Sequence, residues 1–159
     1  MVKYRCLTSL ELEALQDEFV KFLVLNGVSA QDWLNIREHQ PAITNGFIDA
    51  FSDVVFEGIV RKVTFLEFID KSGLKVFKCD DAEITLIGLD NVSQDMIDFS
   101  NFNALIDRIK AQPNSFKIYK TSKKYYPERN TEIFKMISNG ATAADQTWFE
   151  TLESLYHSE

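Results

Sequence analysis

The sequence is short of residues that interrupt regular structure: of 159 residues, six are glycine and three are proline. Scarce breakers exclude long irregular linkers and point to a single α+β domain over residues 1–159. Two cysteines, Cys6 and Cys79, lie far apart and form no CxxC pair. They read as buried free thiols of a reducing cytoplasm rather than as a disulfide framework. With only His39 and His157 beside them, a Cys/His zinc site would need four scattered residues to converge. His39 falls near a helix end and His157 near the C-terminus, poor positions for histidine acid–base catalysis. Phosphate-cradling glycine loops, the GxSxG elbow and the HExxH zinc helix are all missing. No cofactor is expected, and the balance is against an enzyme. No apolar run reaches the roughly 18 residues of a membrane-spanning helix. MVKYRCLTSLELE has no apolar signal-peptide core, so a cytoplasmic location is expected. Positive charge is also in deficit, with 17 Lys and Arg against 24 Asp and Glu and a net charge of −7. That balance opposes polyanion binding by the molecule as a whole.

Apolar residues are plentiful: 45% of the chain is hydrophobic, with 13 phenylalanines, enough for a core without staples. Thr8 and Glu11 form a capping box ahead of Leu12, Leu15, Phe19, Phe22 and Leu23 at helical spacing, and Asn26-Gly27 ends that helix. Ser29 caps a second helix, which runs to Gln40. Pro41 opens a third, whose broad apolar face comprises Ile43, Phe47, Phe51, Val54, Val55 and Ile59. The period then shifts to two. VTFLEFI (63–69), LKVFKC (74–79) and EITLIGL (83–89) read as an antiparallel meander, turning at Asp70–Gly73 and Asp80-Asp81. A polar loop (90–100), a helix (102–111) and a fourth strand, SFKIYKT, follow. Two final helices begin at Pro127 and at a Thr142 cap. The whole predicts an α+β fold: about four antiparallel strands, a meander plus one later strand, packed against N- and C-terminal helices.

Three features bear on chemistry. Asp49, Asp53 and Glu57 recur at i, i+4 and i+8 on the third helix, so Asp53 and Glu57 are weak candidates for a metal or acid–base site, with a solvated helix face as the plainer reading. Glu67 interrupts an apolar strand and, if buried, needs a cation such as Arg61 or Lys62. KIYKTSKKYYPERN (117–130) is basic in an acidic chain. Lys120, Lys123, Lys124, Tyr125 and Arg129 are its candidates for holding an anion, a nucleic acid or a protein partner. Its plainer reading is an edge strand guarded by lysine, with Tyr126 packed beside the following helix.

The segments KYRCLTSLELEALQDEFVKFLVLNGV, FSDVVFEGIVRKVTFLEF and SKKYYPERNTEIFKMISNGA resemble a family of small uncharacterised bacterial proteins, a domain of unknown function. The resemblance covers most of the chain. It implies a bacterial cytoplasmic domain and transfers no activity, cofactor or site residue. The missing catalytic motifs and the high aromatic content lead instead to the expectation of a non-enzymatic protein-interaction module, its partner another protein or a second copy. Polyanion binding through 117–129 and a carboxylate-based metal enzyme are the alternatives.

Overall fold

A computed structural model describes residues 1–158. At Thr8 the capping box forms as expected: the Thr8 hydroxyl accepts the Glu11 amide at 3.2 Å, and the Glu11 carboxylate accepts the Thr8 amide at 2.9 Å. The helix it starts is not continuous. It divides into α1 (Ser9–Ala14) and α2 (Gln16–Leu25), with Leu15 outside helical geometry between them. The Leu15 amide still bonds the carbonyls of Glu11 and Leu12, and the Phe19 amide bonds Leu15. The amide and carbonyl of Leu15 therefore stay bonded at the bend, and no glycine or proline is needed there. Gly27, at φ +79°, makes the left-handed stop after α2. A second capping box, Ser29 with Asp32, starts α3 (Ala30–His39), and Pro41 opens α4 (Pro41–Arg61).

These four helices form one compact unit, Met1–Arg61. Phe19 and Phe51 lie at its centre, their rings 4.9 Å apart, with Trp33 edge-on to Phe19 at 5.1 Å. Along α4 the buried residues are Phe51, Ser52, Phe56 and Val60. The broad apolar face expected for this helix is thus only partly used, because Ile43, Val54 and Ile59 stay exposed.

The second unit, Lys62–Glu159, holds the sheet. Its strands are β1 (Phe65–Ile69), β2 (Gly73–Cys79), β3 (Glu83–Asn91), β4 (Phe116–Lys124) and β5 (Thr142–Ala143). All pair antiparallel in the order β4-β3-β2-β1-β5, so the α+β class stands with five strands rather than about four. The helices are α5 (Phe102–Ala111), α6 (Arg129–Ser138) and α7 (Gln146–His157). Strand alternation sends Leu74, Val76, Ile87, Leu89 and Phe116 to one face, where they pack with Leu105, Phe149 and Leu152. Phe99 joins that core at 2% exposure, from a stretch whose polar composition reads as plain loop. Thr142 is not the cap of the last helix. It extends the sheet as β5, and Asp145 caps α7 by accepting the Thr147 amide at 2.9 Å. No described helix is long and apolar enough to cross a membrane.

Candidate interaction site

The basic segment runs along β4, an edge of the sheet, and turns into α6. Strand alternation and the turn scatter its candidates. Lys120 bonds Glu153 of α7 at 2.9 Å, and that hydrogen bond holds the Glu153 carboxyl below its usual range. Lys123, three residues on and so on the opposite face, forms an ion pair with Glu132 in the first turn of α6. Lys124 is exposed at the strand end, facing Glu83 across the β3–β4 ladder. Tyr125 donates its hydroxyl to the Asp80 carbonyl at 2.7 Å, and burial pushes its phenol up.

Arg129 donates to the carbonyls of Val63 (2.5 Å), Asp80 (3.2 Å) and Cys79 (3.3 Å), and to Asn130 Oδ1 (2.9 Å). Its guanidinium fork ties the entry to β1 and the β2–β3 turn to the start of α6. Four of the five candidates are therefore engaged in local contacts, with Lys120 and Lys123 on opposite faces of the strand, and the five do not converge on one anion-sized space. Tyr126 does not pack beside the helix as expected. Its ring is 83% exposed, while its amide donates to Glu132 at 2.7 Å.

The carboxylate row on α4 holds the N-terminal segment. Asp53 accepts the Lys3 amide at 2.9 Å and the Tyr4 amide at 3.2 Å. Glu57 accepts the Tyr4 hydroxyl and, at 3.4 Å, the Lys3 ammonium. Burial, with the Glu57 carboxylate beside it, raises the Tyr4 phenol to about 12. Next to Asp53, buried Ser52 accepts the Leu7 amide at 2.9 Å, so residues 3–7 lie strapped along the helix. Among the described residues, no three His, Cys, Asp or Glu side chains gather where a metal could sit. Glu67 is half-buried, and burial raises its carboxyl; its partner is the hydroxyl of Thr142, opposite it on β5, not Arg61 or Lys62. Of the two thiols only Cys79 is buried, and burial pushes it up to about 11, where it is a poor nucleophile; Cys6 is exposed.

What the helical unit does present is an apolar trough. Between α2 and α3 a depression of about 250 Å³ is lined by Phe19, Val20, Leu23, Val28, Trp33 and Leu34. A second, of about 300 Å³, reaches from α1 to α4 past Leu12 and Ile48. Both share Gln16, Phe19, Trp33 and Arg37, so Trp33 stands between them. Val20 and Leu34 are each 44% exposed at the border, and Val24 beside Val20 is 60% exposed. Sequence periodicity assigned Phe19 and Leu23 to a core, correctly, but it does not reveal that the cover over them is incomplete.

Fold and surface together define an α+β protein with a four-helix unit, a five-stranded antiparallel sheet unit and an apolar trough on the helices. The chain belongs to DUF6495, a family of unknown function whose model matches residues 1–157. No curated protein and no solved structure matches it.

Proposed function

We propose that the chain is a non-enzymatic protein-interaction module of the bacterial cytoplasm. Its helical unit receives an amphipathic helix of a partner protein in the trough around Trp33. The observation that carries this reading is the trough itself: aromatic walls, two linked depressions, and large apolar side chains left in water at its border. Aromatic anchors in such a setting are what protein interfaces are built on, and helix-in-groove binding uses apolar side chains at i, i+3, i+4 and i+7. The helical unit carries five basic side chains against nine acidic ones, a net charge of −4. A partner helix with basic flanks is favoured over a second copy of the same acidic unit. Two free thiols agree with a reducing compartment.

The test is a labelled partner search in two arms, the parent chain and Leu34→Asp, followed by titration of the retained protein against both. Leu34 is exposed at the border, so the substitution leaves the core intact. A partner that binds the parent and loses affinity by about tenfold or more to Leu34→Asp supports the reading, since a charge placed in an apolar contact costs at least 1.4 kcal/mol. Equal binding to both arms places the contact elsewhere. A chain that light scattering finds dimeric through this surface replaces the foreign helix with a second copy.

A further inference from the structure

The sheet unit has a pocket of its own where β4 turns toward α6. It holds about 240 Å³ and is lined by Phe77, Ile84 and Leu86 of the sheet, Met136 of α6, and the pair Lys123 and Glu132. Its walls are apolar apart from that pair and the Thr121 and Ser122 positions. The two charges differ in how they are held. Glu132 is buried, its side chain 11% exposed, with one oxygen fixed by the Tyr126 amide at 2.7 Å. Lys123, its ion-pair partner, is 63% exposed.

A carboxylate fixed in a buried position needs a cation, because burying it unpaired is costly. A lysine that is mostly in water is a replaceable cation: its ammonium is rehydrated when it leaves, and its long side chain regains rotamer freedom. An incoming ammonium with an apolar tail would take the same place on Glu132 and also remove Phe77, Ile84, Leu86 and Met136 from water. An anionic ligand gains only Lys123 and meets the fixed negative charge of Glu132 beside it.

We propose that this pocket binds a small free alkyl or aralkyl amine, its ammonium displacing Lys123 from Glu132 and its tail on Ile84 and Leu86. The pocket is smaller than the roughly 300–1,000 Å³ of drug-sized sites, which limits the tail to a short chain or a single ring. The polarity also selects orientation. The ammonium lies on Glu132 beside Lys123, and the tail lies along the apolar lining of Ile84 and Leu86.

Methyl-labelled full-length chain titrated with hexylammonium chloride tests this, with hexanoate and hexan-1-ol as comparison probes. Saturable shifts of the Ile84, Leu86 and Met136 methyl resonances by hexylammonium, and weaker shifts by the other two probes, are expected. Glu132→Gln keeps an oxygen for the Tyr126 amide and should weaken hexylammonium by about tenfold, the scale of one charge-assisted hydrogen bond. Lys123→Met removes the competing cation and should tighten it. The proposal is overturned if hexanoate or hexan-1-ol binds as well as hexylammonium. It is equally overturned if no methyl moves, if Glu132→Gln binds like the parent, or if Lys123→Met weakens binding.

Discussion

Replacing Arg129 with methionine separates a structural arginine from a ligand-binding one. The guanidinium donates to three backbone carbonyls, those of Val63, Cys79 and Asp80. Asp80 keeps the Tyr125 hydroxyl at 2.7 Å when the arginine is lost, so two carbonyls, Val63 and Cys79, lose this donor. Hydrogen bonds to a charged donor contribute about 1.5–3 kcal/mol each, and partial entry of water offsets part of the loss. Arg129→Met should therefore destabilise the chain by about 3 kcal/mol. Methionine retains much of the apolar stem, so little of that loss comes from packing. Urea unfolding followed by circular dichroism reads the change as a lower midpoint at unchanged slope. Lys124→Met, at an exposed strand end, should shift the midpoint by less than about 0.5 kcal/mol. An Arg129→Met chain within about 1 kcal/mol of the parent would show that the carbonyl contacts contribute little. The arginine would then be available for an anion after all.

Two further substitutions follow from the same geometry. The Tyr119 ring lies over Gly88, its cross-strand neighbour, and a Cβ there would stand 2.0 Å from the ring's Cζ. Gly88→Ala should destabilise by about 1–3 kcal/mol by pushing the ring off the sheet, and by much less in a Tyr119→Ala background, as a double-mutant cycle in urea will show. At Tyr4 the neutral phenol is the form that bonds Glu57, and its folded pKa of about 12 lies above the ordinary 10.0. A raised folded pKa gives stability that is fully present below pH 10 and is lost as pH rises through 12. Thermal melts between pH 9 and 12 should thus fall more steeply for the parent than for Tyr4→Phe. Parallel profiles would detach the phenol from the N-terminal strap.

The elements legible in the sequence were those with local causes. The Thr8 capping box, the Ser29 cap, the Gly27 stop, the Pro41 start and the Asp70–Gly73 hairpin involve groups within a few residues of each other. The break at Leu15 was not legible, because Leu15 keeps its own backbone hydrogen bonds and no glycine or proline marks it. Thr142 looked like a cap because β5 is two residues long, too short to show alternation. The partners of the basic segment were hidden for a different reason. Lys120 meets Glu153 across 33 residues and Arg129 reaches Val63 across 66, pairings that composition cannot display. The trough was hidden because periodicity says which helix face is apolar, and neither depression beside Trp33 follows from that.

Placing a photo-crosslinking amino acid at Leu34 and irradiating the native cell tests the central claim most directly. The proposed function predicts one discrete adduct, at the mass of the chain plus a single partner. Its crosslink should map to an amphipathic helix, and it should be absent when the same residue is placed at exposed Lys124 on the sheet edge. Adducts at Lys124 with none at Leu34 would contradict it and move the interaction to the sheet.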